Sequence, residues 1–244
     1  MLINCDLGEG FGAWTMAPDE ALMPHIQMAN LACGFHAGDA EIMAKRVDWA
    51  LAQGVRIGAH VSYPDLAGFG RRALPSSSEQ VVQWCQYQYG ALHAMTYARR
   101  GIVEYVKPHG ALYHRLHQDL PTLELLCHSM REWPGQPNLM LMAGPAGQQA
   151  IDCAKAAGIF VIKEAFADRA YESDGRLRSR DLPGAVLTDW ELIQAQVEGI
   201  RAGKLTLADG QSLSIEANTL CLHSDSPGAL EIAQRLNAWN TQRQ

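Results

Sequence analysis

Seven short apolar runs recur along the chain, and nearly every one stops at a titratable side chain. They are LINCD (2–6), ANLAC (29–33), VRIGAH (55–60), VEYVK (103–107), NLMLMAG (138–144), IFVIKEAF (159–166) and TLCLHSD (219–225). Longer stretches with helical spacing lie between them. Short apolar segments alternating with amphipathic ones predict parallel strands joined by crossover helices. Asp6 ends the first run, His36 follows the second and His60 ends the third. Lys107 and His109 close the fourth, Glu164 follows the sixth, and His223 with Asp225 closes the seventh, while the fifth ends in the small loop AGPAG. An open doubly wound sheet spreads its strand ends along a line. A closed barrel gathers them around one mouth. The common position of these residues therefore predicts an α/β fold, a TIM-like (β/α) barrel of about seven parallel strands.

A chain of 244 residues fits one such barrel, and no repeat or linker divides it, so residues 1–244 are expected to form a single domain. A 48% hydrophobic and 19% charged composition allows a large core. The net charge of −6 argues against a nucleic-acid partner. No apolar stretch approaches the roughly 20 residues of a membrane span, and MLINCDLGEG turns acidic too early for a signal peptide. The six cysteines form no C-x-x-C pair and sit mostly in apolar runs, which predicts reduced, buried thiols in a cytoplasmic protein.

Helical spacing is clear at Met43, Val47, Ala50 and Leu51, stopped by Gly54. Ser78 is expected to cap a helix from Glu79 to Arg100, with Val82, Cys85, Tyr89, Leu92 and Met95 inward. Further helices are expected at 120–132, 146–157, 188–202 and 227–239, the last starting at Ser226-Pro227. Asp209-Gly210 within KLTLADGQSLSIEA (204–217) predicts a hairpin excursion. His114 and His117 are expected on the surface of a helix after the fourth strand.

The strand-end loops hold the candidate chemistry. In NCDLGEGFG (4–12), Asn4 and Asp6 share one strand face, and Asp6 and Glu9 could serve as base, metal ligands or anchors. In CGFHAGD (33–39), Asp39 reads as a helix cap, but His36, flanked by Gly34 and Gly38, is expected to serve a site. GAHVSYPDLAGFGRR (58–72) supplies His60 and the Arg71–Arg72 pair, whose guanidinium forks match a carboxylate or phosphate. Lys107 needs an anion if buried. Glu164, Asp168 and Arg169 could line the mouth, and His223 and Asp225 repeat the strand–His–Asp theme. There is no G-x-x-x-x-G-K-[ST], no G-x-G-x-x-G after a strand and no G-x-S-x-G elbow.

NCDLGEGFG, ANLACGFHAGD, GAHVSYPDLAGFGRR, VKPHGALY, EAFADRAYESDGRLRSR and LHSDSPGA, in that order, resemble the lactam-utilisation (LamB/YcsF) family, the A subunits of bacterial 5-oxoprolinase. The resemblance covers nearly the whole chain. It implies a barrel of the glycoside hydrolase/deacetylase kind and ATP-dependent opening of 5-oxo-L-proline to L-glutamate in a cytoplasmic complex with B and C subunits. ATP would be a co-substrate handled with those partners. On that basis the lactam sits in the barrel mouth. A carboxylate (Asp6 or Glu9) or a histidine (His36, His60 or His109) takes a proton from water. Lys107 stabilises charge on oxygen, and Arg71, Arg72 or Arg169 holds the substrate carboxylate. Asn4, Asp39, Glu164, Asp168, His223 and Asp225 complete the expected binding shell. Two alternatives stay open: a stand-alone metal-dependent amide hydrolase or deacetylase, and a non-catalytic chain that only binds the lactam. Holding a metal is the less expected case, because the ligand spacing is not diagnostic.

Overall fold

The computed structural model describes residues 1–207, 210–226 and 228–241. Its strands are β1 (Leu2–Leu7), β2 (Met28–Ala32), β3 (Arg56–Val61), β4 (Val103–Pro108), β5 (Asn138–Met142), β6 (Val161–Phe166), β7 (Lys204–Thr206), β8 (Ser212–Ser214) and β9 (Thr219–Leu222). The seven strands β1 to β6 and β9 pair in parallel and close into a barrel, with β9 joining β6 to β1. β7 and β8 form the expected antiparallel excursion; Asp209 of its turn lies outside the described residues, as does Pro227 of the Ser226-Pro227 helix start. The helices are α1 (Asp19–Leu22), α2 (Ala40–Gln53), α3 (Ser78–Tyr97), α4 (Gly110–Gln118), α5 (Leu120–Met130), α6 (Gln148–Ala156), α7 (Trp190–Arg201) and α8 (Ala229–Thr241). None among the described residues is long and apolar enough to cross a membrane.

Strand alternation divides the interior in two. Ile3, Cys5, Leu7, Leu220 and Leu222 face outward and pack with helix residues such as Val47, Leu92, Leu126, Ile193 and Leu236 in the main core. Met28, Tyr105, Met140 and Ile162 form a separate apolar cluster inside the barrel. Further along the same inward faces the residues turn polar: Asn4, Asp6 and Asn30 are buried, as are Lys107 and Glu164. The barrel is therefore an apolar plug beneath a polar mouth. All six cysteines are free, and only Cys153 is not fully buried.

The helix ends follow their local chemistry. Asp39 caps α2 by accepting from the Ile42 N–H, and Gly54 ends it with φ 66°. The cap of α3 is Ser77, one residue before the expected Ser78, and Gln80 completes a capping box. The fully buried face of α3 is Val81, Cys85, Gln88, Tyr89, Leu92 and Thr96, with the expected Val82 and Met95 half-buried at its margins against the core. Two polar residues enter it because their hydrogen bonds are met. Gln88 Oε1 accepts from Ser62 N at 2.9 Å and its Nε2 donates to Ser62 O at 2.8 Å, while Thr96 donates to Leu92 O. His117 is also not a free surface residue: its Nε2 accepts from the Met142 N–H at 3.0 Å, tying α4 to the end of β5.

One glycine allows the plug to form. A Cβ at Gly58 would lie 2.1 Å from the Tyr105 ring, which crosses the barrel to donate from its hydroxyl to Asn30 Oδ1 at 2.7 Å. Gly58→Ala should therefore cost about 1–3 kcal/mol through overpacking and lower the thermal midpoint by several degrees. An unchanged midpoint in thermal unfolding would contradict the packing described.

Candidate functional site

The strand register sets the floor of the mouth. Asp6 lies beside Asn30 across β1 and β2, and His60 beside Lys107 across β3 and β4. Lys107 Nζ reaches Asp6 Oδ1 at 2.8 Å, Cys221 Sγ at 3.1 Å, Glu164 Oε2 at 3.2 Å and Asn4 Oδ1 at 3.3 Å. Asn30 Nδ2 donates to Asp6 Oδ1 and Asn4 Oδ1. Burial alone would favour neutral lysine, but Asp6 and Glu164 hold the ammonium well above its ordinary pKa. Burial likewise works against an ionised Asp6, yet His60 and Lys107 keep it well below the usual carboxylate range. Burial, aided by Asp6, keeps the Cys221 thiol protonated. Glu164 is fully buried, and neither of its oxygens receives an aligned hydrogen bond among the described residues.

A second group stands at the ends of β1 to β4. His60 Nε2 and His109 Nδ1 are 3.0 Å apart. Glu9 Oε1 lies 3.1 Å from His36 Nε2, 3.5 Å from His109 Nδ1 and 3.7 Å from His60 Nε2. His36 stacks on His109 with centroids 3.9 Å apart. Burial, then the charge of Asp6, pushes Glu9 up to about 8. Burial and neighbouring imidazoles hold His36 and His109 well below their usual value.

Above this floor opens a cavity of about 930 Å³, lined by Asp6, Glu9, His60, Lys107, His109 and Glu164 and rimmed by Arg71, Arg169, His223 and Asp225. Asn4 lies beneath the floor and His36 behind His109. Asp168 is buried behind His223, accepting from its backbone N–H at 3.1 Å, its Nδ1 at 3.0 Å and Ser226 Oγ at 2.9 Å. Arg71 and Arg180 both pair with Asp225. Arg169 is 6% exposed and spends Nε and Nη2 on the carbonyls of Ala185 and Arg178. Among the described residues, no carboxylate is ion-paired with it, and burial lowers its pKa to about 10.

Two candidates are drawn elsewhere. Asp39 caps α2 and also accepts from Gly12 N, and Arg72 is paired with Asp65. Neither lines the cavity. Sequence reasoning missed Asn30 and Cys221 of the floor, Tyr113 and Arg180 of the cavity wall, and Asp19, which ties Gly8 N to Arg46 beneath the first loop. Alternation along ANLAC and TLCLHSD was the signal for Asn30 and Cys221; no local pattern marked the others.

These features define a class: a closed parallel barrel whose mouth buries an amine between carboxylates beside a cluster of imidazoles. The LamB/YcsF family profile matches residues 1–244, and the chain belongs to that family. It is 46% identical over 237 residues to the 5-oxoprolinase A subunit of Pseudomonas fluorescens Pf0-1, covering 97% of this chain and 95% of that one. It is 45% identical to the protein of the same name from Vibrio cholerae O395, covering 97% and 96%. The crystal structure of the lactam utilization protein from Thermus thermophilus superposes with a TM-score of 0.90 at 36% identity, covering 100% of this chain and 96% of that one.

The Asp168 pair makes a pH-dependent prediction. Burial would raise the Asp168 pKa, but the His223 imidazole and the hydrogen bonds to it outweigh burial and hold it below its ordinary value. A carboxylate depressed on folding adds stability above its unfolded pKa of about 3.9, and that stability is lost as pH falls through the folded value. Asp168→Asn should be less stable than the parent at pH 7, and the gap in denaturant midpoint should shrink below about pH 4. A gap that stays constant down to about pH 3 would contradict this.

Proposed function

We propose that the chain is the A subunit of a 5-oxoprolinase, opening the ring of 5-oxo-L-proline to L-glutamate in an ATP-dependent complex with B and C subunits. The names of the relatives support the substrate class. The observation that carries the chemistry is the buried Lys107, held between Asp6 and Glu164 at the base of an open cavity.

A lactam presents three groups, and the mouth offers a partner for each. Its ring oxygen, carrying the phosphoryl group transferred from ATP, meets the Lys107 ammonium, which offsets charge gathering on oxygen as water adds to the ring carbon. Before phosphorylation its ring N–H can donate to Glu164, whose oxygens receive no aligned hydrogen bond among the described residues, and Glu164 can take that proton as the oxygen gains its phosphoryl group. Its carboxylate can take the open guanidinium of Arg169, which the geometry favours over Arg72. The proton of the attacking water goes to His223: Nδ1 is spent on Asp168, so Nε2 is the ring nitrogen left for a ligand, and Asp168 stabilises the imidazolium that results. The imidazolium returns that proton to the lactam nitrogen, the proton of the new hydroxyl follows it as the C–N bond breaks, and a second water displaces phosphate from the acyl phosphate so formed to leave the carboxylate of glutamate. Asp6, ionised and bonded to Lys107, positions the amine rather than taking a proton. With no phosphate-binding loop in the sequence, ATP is held together with the partner subunits, and soluble cytoplasmic partners suit a chain with free, buried thiols.

Mixing the chain with candidate B and C subunits, ATP and 5-oxoproline should yield glutamate. Lys107→Met and Asp6→Asn, each checked for native circular dichroism, should cut that turnover by about 10²-fold or more, as expected on losing an electrostatic donor to a reacting oxygen. Near-parental turnover in both variants would overturn the assignment.

A further inference from the structure

The imidazole cluster has an electrostatic problem that the proposed reaction does not solve. His60 Nδ1 lies 3.0 Å from the Lys107 carbonyl, so its proton sits there and Nε2 carries a lone pair. His109 Nε2 lies 2.9 Å from the Phe69 carbonyl, so its Nδ1 is bare as well. These two bare nitrogens face each other at 3.0 Å, with the Glu9 carboxylate oxygen 3.5 and 3.7 Å away. Two lone pairs facing each other at 3.0 Å repel unless a proton or a metal ion lies between them, and a bound cation would also ionise Glu9.

The geometry points to a divalent first-row metal ion, zinc or a close analogue, held by Glu9 Oε1, His36 Nε2, His60 Nε2 and His109 Nδ1. All four donor atoms lie within 4.8 Å of one another. Four of the six separations, 3.0 to 3.7 Å, bracket the spacing of about 3.3 Å that bonds of 2.0–2.1 Å impose on a tetrahedron, and the other two lie within 4.8 Å. Imidazole with one carboxylate and no thiolate suits zinc, nickel or iron better than magnesium or calcium. Two of the histidines already have their far nitrogens fixed by backbone carbonyls, the arrangement that orients metal-binding imidazoles. The loop that supplies one of those carbonyls is under strain to do so. Phe69 has φ 53°, a region costly for an aromatic residue, and Gly70 beside it packs so closely that a Cβ would meet Ser62 Oγ at 2.2 Å and both His36 and His109 at 2.9 Å.

The other group of candidate ligands, Asp6, Cys221 and His223, is different. Lys107 Nζ already lies against Asp6 and Cys221, so a cation occupies that place within the chain. Among the described residues, no lysine or arginine is ion-paired with Glu9 at the imidazole site. Glu9, His60 and His109 also line the cavity, so the ion would stand at the wall of the pit, beside the substrate site and apart from the Lys107 amine.

The inference does not depend on which reaction the chain performs, and binding tests it directly. The full chain, stripped with chelator and dialysed, is titrated with zinc chloride and, separately, with cobalt chloride. One zinc per chain should bind, the cobalt form should show the visible absorption of a four-coordinate ion, and X-ray absorption should show a nitrogen and oxygen shell with imidazole scattering and no sulfur. Glu9→Gln and His109→Asn should weaken binding by more than the ~100-fold typical of losing a supporting partner, whereas Cys221→Ser should leave it unchanged. No zinc uptake by the wild-type chain would overturn the site, since a shared proton would then be the cation between His60 and His109. A sulfur-containing shell, or affinity unaffected by both ligand variants, would also overturn it.

Discussion

Lys107 puts a full positive charge inside a barrel, and most of the mouth is arranged around that charge. A buried ammonium is tolerable only with anions in contact and its protons shared. Asp6 and Glu164 supply the anions from β1 and β6, the two strands that flank β9, and Asn4 and Cys221 take further contacts. Asp6 is in turn fixed by Asn30, which reaches Asn4 on one side and the Tyr105 hydroxyl on the other. The chain of contacts runs from the plug to the mouth. Breaking a buried ion pair by removing one partner costs about 3–5 kcal/mol, so this network sets the conformation of several strand ends at once.

The sequence made the barrel legible because the strands are short, apolar and regularly interrupted, and because titratable residues at their ends have one natural meeting place. The ring of Asp6, Glu9, His36, His60, Lys107, His109, Glu164 and His223 follows from that rule. What it could not show is which side chains a neighbour claims first. Arg71 and Arg72 are adjacent, yet one reaches Asp225 at the mouth and the other turns to Asp65. Asp39 has the pattern of a cap and is one. Asn30 and Cys221 stay hidden when an apolar run is read as apolar on both faces, although alternate residues point into the polar mouth. Gln88 and His117 are hard to place for a related reason: each is polar on a buried face because a backbone group from another element completes it. Long-range partners of that kind leave no local pattern.

Two centres thus share one opening without sharing roles. The amine centre at Lys107 gathers one ammonium and two carboxylates beneath the cavity. The imidazole centre, tied down by the strained turn at Phe69, gathers lone pairs and one carboxylate. The His223–Asp168 pair stands across the cavity rim, with Arg169 nearby. Asp6 links the two centres, touching Lys107 at 2.8 Å and His60 at 3.4 Å, so the charge of one is felt in the other.

The central claim is that the barrel mouth holds the lactam with its ring on Lys107 and its carboxylate on Arg169. Crystals of the chain soaked with 5-oxo-L-proline test it most directly. The account predicts ring density over the floor, with the ring oxygen within hydrogen-bonding distance of Lys107 Nζ, the ring nitrogen beside Glu164 and the carboxylate on Arg169. Ligand density only outside the mouth, or a ring bound with its oxygen turned away from Lys107, would contradict it.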